Sequence, residues 1–108
     1  MIRLFVNLNP VVKFFKLKDG VAYMLTITSN DIEEREVENK NGENFTRYIL
    51  QVIDDNEEAH ELSLPLSAVY SMRQQVEARK IKQLAGTKWL FIRTGEGLQT
   101  KYNISYQA

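Results

Sequence analysis

The chain has 108 residues, 44% of them hydrophobic and 26% charged, with fourteen basic and fourteen acidic side chains and no cysteine. That length fits one core, and the missing cysteine removes disulfides, thiolate metal sites and a cysteine nucleophile. Zero net charge excludes a uniformly basic domain, yet the charges are segregated: residues 30–62 hold eleven acidic and three basic side chains, whereas 1–20, 67–85 and 86–108 are each mildly positive.

Residues 1–20, MIRLFVNLNPVVKFFKLKDG, are apolar in patches. Arg3, Asn7, Asn9, Lys13 and Lys16 interrupt them too often for a spanning helix or a signal-peptide core, so a cytoplasmic location and no membrane partner are expected. This stretch is read as an N-terminal strand or arm. VAYMLTITS at 21–29 alternates and continues through Ile32 and Val37 as one long first strand. Lys40-Asn41-Gly42 then marks a hairpin, because Asn-Gly favours the primed turns that match strand twist.

The second strand runs from Phe45 to Ile53, with Tyr48, Leu50 and Val52 on one face and Phe45, Arg47, Ile49 and Gln51 on the other. Asp54-Asp55-Asn56 is a turn cluster. His60, Leu62, Leu64 and Leu66 make a third strand, with Pro65 near its end. Ser67 is a candidate N-cap for a helix over 68–84, and Gly86 its stop. Lys88 to Arg93 is a fourth strand, Thr94-Gly95-Glu96-Gly97 a turn, and Thr100 to Tyr106 a fifth strand. The expectation is a single all-β domain over 1–108 with one helix, in the order β-β-β-α-β-β.

That order is the order of the five-stranded oligonucleotide/oligosaccharide-binding (OB) fold, whose helix lies between strands three and four. LAGTKWLFIRTGEGLQTKYNISY resembles the closing hairpin of OB-fold single-stranded-DNA-binding proteins of phage and archaeal viral type: a glycine, an apolar strand ending in Arg93, a Gly-x-Gly turn, then Thr-Lys-Tyr. KFFKLKDGVAYMLTI is similar to the entry into such domains. The resemblance covers most of the chain from Lys13 onward. It implies a five-stranded OB barrel, with or without an extra N-terminal strand or arm, whose ligand is single-stranded DNA, with RNA as the alternative, during replication or recombination. The chain departs from bacterial single-strand binders in ending Ser-Tyr-Gln-Ala, without an acidic recruiting tail.

Single strands are held by cations that track phosphates and by aromatic faces on which bases stack. If Leu90 and Ile92 point into the barrel, Trp89, Phe91 and Arg93 stand outside, joined by Lys101 and Asn103 on strand five; Lys88 is a further candidate contact. The alternative is that Trp89 and Phe91 are core. Phe45 and Arg47 are the candidates on strand two, Ile49 is read as packing and not as a contact, and Lys40 and Arg93 are the expected phosphate contacts in the flanking loops. Tyr48 and Tyr102 are read as core. The acidic runs Asp31 to Glu38 and Asp54 to Glu61 are read as solvated, with docking of a basic partner as the functional alternative.

No enzymatic activity, metal or cofactor is expected, because His60 is the only histidine and no HExxH, GxxxxGK[ST] or GxSxG string occurs. Two functions compete: sequence-tolerant single-strand binding, and an OB module that docks a protein through its acidic stretch or helix. Exposure of Trp89, Phe91 and Arg93 on one face with Phe45 and Arg47 separates them, since stacking requires it and burial of both aromatics favours the second. Monomer and homodimer are both compatible with the sequence.

Overall fold

The computed structural model describes residues 13–108; residues 1–12 of the arm or strand expected over 1–20 lie outside them. The order is β1 (Lys13–Phe14), β2 (Ala22–Ile27), β3 (Glu33–Glu38), β4 (Asn44–Ile53), β5 (Ala59–Leu64), α1 (Leu66–Ala78), β6 (Lys88–Thr94), a 3-10 turn at Gly97–Gln99, and β7 (Lys101–Gln107). The protein is mostly strand with one α-helix among the described residues. Seven strands form one sheet in the order β1-β5-β4-β2-β6-β7, with β3 also on β4. β1 and β7 end this path, so strand pairing does not close it.

The expected five strands become seven for two local reasons. The long first strand breaks at Thr28-Ser29-Asn30-Asp31, a polar run whose side chains compete for backbone partners. Thr28 donates its amide to Gln51 O at 2.9 Å, the Asp31 amide donates to Ser29 Oγ at 3.1 Å, and Asn30 Oδ1 accepts the Ala85 amide at 2.9 Å. Residues 28–32 therefore stand opposite only residues 50–51, and the two halves both pair with β4, at Ile27↔Val52 and at Glu33↔Ile49. The second is β1, which lies in the stretch read as an N-terminal strand or arm and pairs in parallel with β5 at Lys13↔His60 and Phe14↔Glu61.

The core is one cluster. Leu25, Ile27, Leu50, Val52, Leu62, Leu64, Trp89, Phe91 and Ile104 converge from five strands, Leu17 comes from the entry segment, and Ala68 and Met72 come from α1. The helix also finishes the free edge of β7: Gln75 Nε2 donates to Ile104 O at 2.6 Å, and Gln75 Oε1 accepts the Tyr106 amide at 2.9 Å. Edge groups with partners do not template another strand.

The helix differs from expectation at both ends. It starts at Leu66 with Pro65 in the N-cap position and no side-chain cap, so Ser67 caps nothing. It stops at Ala78 and not at residue 84, because Lys80 enters the left-handed region at φ 54°. The Lys80 amide donates to Glu77 O and the Ile81 amide to Val76 O, at 3.3 and 3.0 Å, which is the Schellman pattern of helix termination. Ile81 and Leu84, expected on the helix, lie in the loop that follows it.

Candidate nucleic-acid interface

The phase of β6 is opposite to the one that would make a stacking platform. Trp89 and Phe91 are both 0% exposed, while Leu90 and Ile92 are half-buried on the outer face. Burying the two largest apolar groups of the strand removes more apolar surface from water than burying Leu and Ile. The indole N–H of Trp89 donates to Thr87 Oγ1 at 2.8 Å, so its one polar atom is satisfied, and its ring meets Tyr106 edge-on at 5.4 Å. Neither ring offers a face to a base.

Lys88 and Lys101 are exposed, but they share the outer face of β2, β6 and β7 with Leu90, Ile92 and Asn103 and hold no aromatic beside them. Arg93 follows the inward phase: it pairs with Tyr102 and is half-buried. Its Nε donates to Leu17 O at 3.0 Å and its Nη1 to Gly95 O at 2.9 Å, which fastens the entry segment to the loop between β6 and β7. The Gly95 amide returns to Asp19 Oδ1 at 3.0 Å.

The second face keeps its expected phase. On the outer side of β3, β4 and β5, strand alternation places Glu33, Arg35 and Val37 beside Phe45, Arg47, Ile49 and Gln51, and these beside Glu61 and Ser63. Phe45 is 44% exposed, and Phe14, across from Glu61, is 56% exposed. Ile49 is buried outside the core cluster, which fits a packing role. Lys40 is exposed in the turn of the β3–β4 hairpin, where Asn39 Oδ1 accepts the amides of Asn41 and Glu43.

The two arginines of this face are register partners with opposite electrostatic situations. Arg35 is neutralised: it pairs with Glu33 at 2.9 Å and with Glu61 at 3.1 Å, and Gln51 Nε2 donates to the same Glu61 at 3.1 Å. The hydrogen bonds of Arg35 hold the Glu33 and Glu61 carboxyls below the usual range, Gln51 adds to the effect at Glu61, and both carboxylates push the guanidinium upward. Arg47 has no carboxylate partner among the described residues; its Nε donates to Ser63 Oγ at 2.9 Å and its Nη2 to Ser63 O at 3.0 Å.

Ser63 also lines a cavity of about 210 Å³ at the seam between β5 and β7, together with Phe15, Lys16, Leu17, Leu62, Arg93 and Tyr102. Ser63 thus accepts from Arg47 and shares a cavity wall with Arg93, although Arg47 itself does not line the cavity. Arg35, Phe14, Ser63 and Lys16 were not in the candidate set. Period-two alternation in EEREVE reveals that Arg35 shares the Arg47 face, but the place of Ser63 beside both Arg47 and the cavity depends on tertiary packing and leaves no sequence signal.

Asp54, Glu58 and His60 are the described group with metal-ligand atoms within 4.8 Å of one another. Asp54 Oδ1 already accepts the amides of Asn56 and Glu58 at 2.8 and 3.0 Å, and Oδ2 lies 2.9 Å from His60 Nε2. The Glu58 amide first, and then His60, hold the Asp54 carboxyl below its usual value. His60 Nδ1 is buried without a partner. A cation on Nε2 would leave Nδ1–H without the acceptor that metal-bound histidines use, so the geometry is that of a locked turn.

No described helix is long and apolar enough to cross a membrane. No protein-family model, curated protein or solved structure matches the chain.

Proposed function

We propose that the protein is an OB-type barrel that binds single-stranded nucleic acid on the outer face of β3, β4 and β5. The barrel reading is supported by connectivity: β2 pairs with both β4 and β6, β5 follows on β4, β7 follows on β6, and the helix lies between β5 and β6. With β2 and β3 taken as one interrupted strand, this is the OB order. The observation that carries the binding reading is Arg47, held by Ser63 and without a carboxylate partner among the described residues, on a face that also exposes Phe45. Guanidinium groups left without an acid are suited to phosphate, and an exposed ring is suited to a base.

The test is fluorescence anisotropy of a labelled thymine oligonucleotide, with the matching duplex as control, at several salt concentrations. About three or four phosphate contacts give a logarithmic salt slope of roughly −2 to −3 on single strands. Phe45→Ala loses a stack worth about 1–3 kcal/mol, or roughly five- to a hundredfold in affinity. Equal binding of the duplex, or a slope near zero, would sink the proposal. Tryptophan quenching is a poor probe of stacking here, because Trp89 is wholly buried.

The second reading, a protein-docking OB module, is favoured by two observations: the burial of Trp89 and Phe91, and the carboxylates of Glu33 and Glu61 that neutralise Arg35 within the same face. It predicts no strand binding at any salt concentration, together with a protein partner whose affinity falls when Glu34 and Glu36 are reversed in charge.

A further inference from the structure

We propose that the seam cavity between β5 and β7 takes a single nucleotide, with a pyrimidine ring in the cavity and its phosphate on Lys16 and Arg93. The inference rests on the single-strand reading and adds a subsite to it.

The lining joins two cations and two aromatic side chains to one hydroxyl: Lys16, Arg93, Phe15, Tyr102 and Ser63. No carboxylate lines it. Other cavities have a different character. The groove between α1 and the β2–β3 connection is lined by Ile32, Val69, Met72, Val76 and Leu84 with Arg73 alone polar, and the two near the β4–β5 turn contain Asp54 and Asp55. An anion is accepted by the seam cavity and repelled by those two.

Size restricts the ligand further. A cavity of about 210 Å³ has room for one small substituted ring. The walls are held in place. Phe15 meets Tyr23 and His60 edge-on at 4.9 and 5.1 Å, and Arg93 is fixed by the carbonyls of Leu17 and Gly95. Those bonds use Nε and Nη1, so Nη2 of Arg93 remains for a phosphate oxygen, and Lys16 is exposed at the rim. Ser63, which accepts from Arg47, is the residue that the outer face and the cavity share.

The experiment is amide NMR of the full chain titrated with thymidine monophosphate, thymidine and inorganic phosphate. The expected result is shifts clustered at Lys16, Leu17, Ser63 and Tyr102 with the monophosphate, weaker by about tenfold in Lys16→Glu, which removes a charge-assisted contact from an exposed side chain that the fold does not need. Lys82→Glu, a remote exposed lysine, leaves the titration unchanged. Shifts scattered over the surface, an unaffected Lys16→Glu, or inorganic phosphate reproducing the whole pattern each overturn the inference, the last because the ring then adds nothing. Oligonucleotide affinity of the same samples separates the two proposals: a strand that binds while the monophosphate does not leaves the outer-face reading standing and removes only the subsite.

Discussion

Trp89 and Arg47 show how far the role of a residue depends on what surrounds it. Both stood as binding candidates, and the difference is burial: the indole is sealed at 0% exposure with its N–H spent on Thr87, whereas Arg47 is half-buried and its guanidinium hydrogen-bonds only Ser63 among the described residues. Trp89→Ala empties the centre of the core and is expected to lower stability by about 3–5 kcal/mol in urea unfolding. For binding, the informative pair is Arg47→Glu and Lys101→Glu. The first reverses charge on the proposed face and is expected to cost at least about tenfold in strand affinity, the worth of one charge-assisted contact. The second lies on the outer face of β7, away from Phe45, and is expected to leave affinity within about twofold at moderate salt. Equal losses from both, measured by anisotropy, would place the strand elsewhere.

At the scale of elements, the ends carry the surprises. Lys80 at φ 54° occupies a position that favours glycine, so Lys80→Gly is expected to stabilise by about 1 kcal/mol and raise the melting temperature by about 4 °C or more in a thermal scan. Gly95 works in the opposite sense: its φ is +87°, and an added Cβ would stand 2.3 Å from Gln99 O. Gly95→Ala is expected to distort the β6–β7 loop, lowering the melting temperature and loosening the clip between Gly95, Asp19 and Arg93. β4, β5, β6, β7 and the Asn-Gly hairpin were legible in alternation and turn chemistry, to within a residue or two at each end. The helix end was not, because Ile81 and Leu84 continue the apolar spacing past the point where Lys80 turns the chain. Nor was the break in the first strand, where polar residues that alternate acceptably also bond across to Gln51 and Ala85.

For the whole molecule, charge is arranged by strand alternation. In β3, Glu34, Glu36 and Glu38 share one side, while Glu33, Arg35 and Val37 share the other. Charged side chains on a strand outside the main pairing path discourage edge-to-edge association. The same arrangement sets the acid response. Glu61 is held below its usual value by Arg35 and then Gln51, and Asp54 by the Glu58 amide and then His60. A carboxyl depressed in the folded state contributes stability that is fully present above its unfolded value and is lost as pH falls through the folded one. The melting temperature is therefore expected to hold flat down to the ordinary carboxylate region of about pH 4 and to fall below it. Glu61→Gln, which cannot titrate, is expected to start lower and to fall less steeply.

What the sequence by itself determined is local: a β-rich chain with one helix, a hairpin at Asn-Gly, and Phe45 and Arg47 on one side of β4, because period-two alternation and turn preferences act over a few residues. It left the phase of β6 open, since Trp89-Leu90-Phe91-Ile92 is apolar on both sides and either set fills a core. Tertiary structure decided it, because the core had room for an indole and a phenyl ring and supplied Thr87 for the indole N–H. The place of Ser63 between Arg47 and the cavity was likewise decided only there, since Arg93 and Tyr102, which share the cavity wall, lie thirty and more positions from it in sequence.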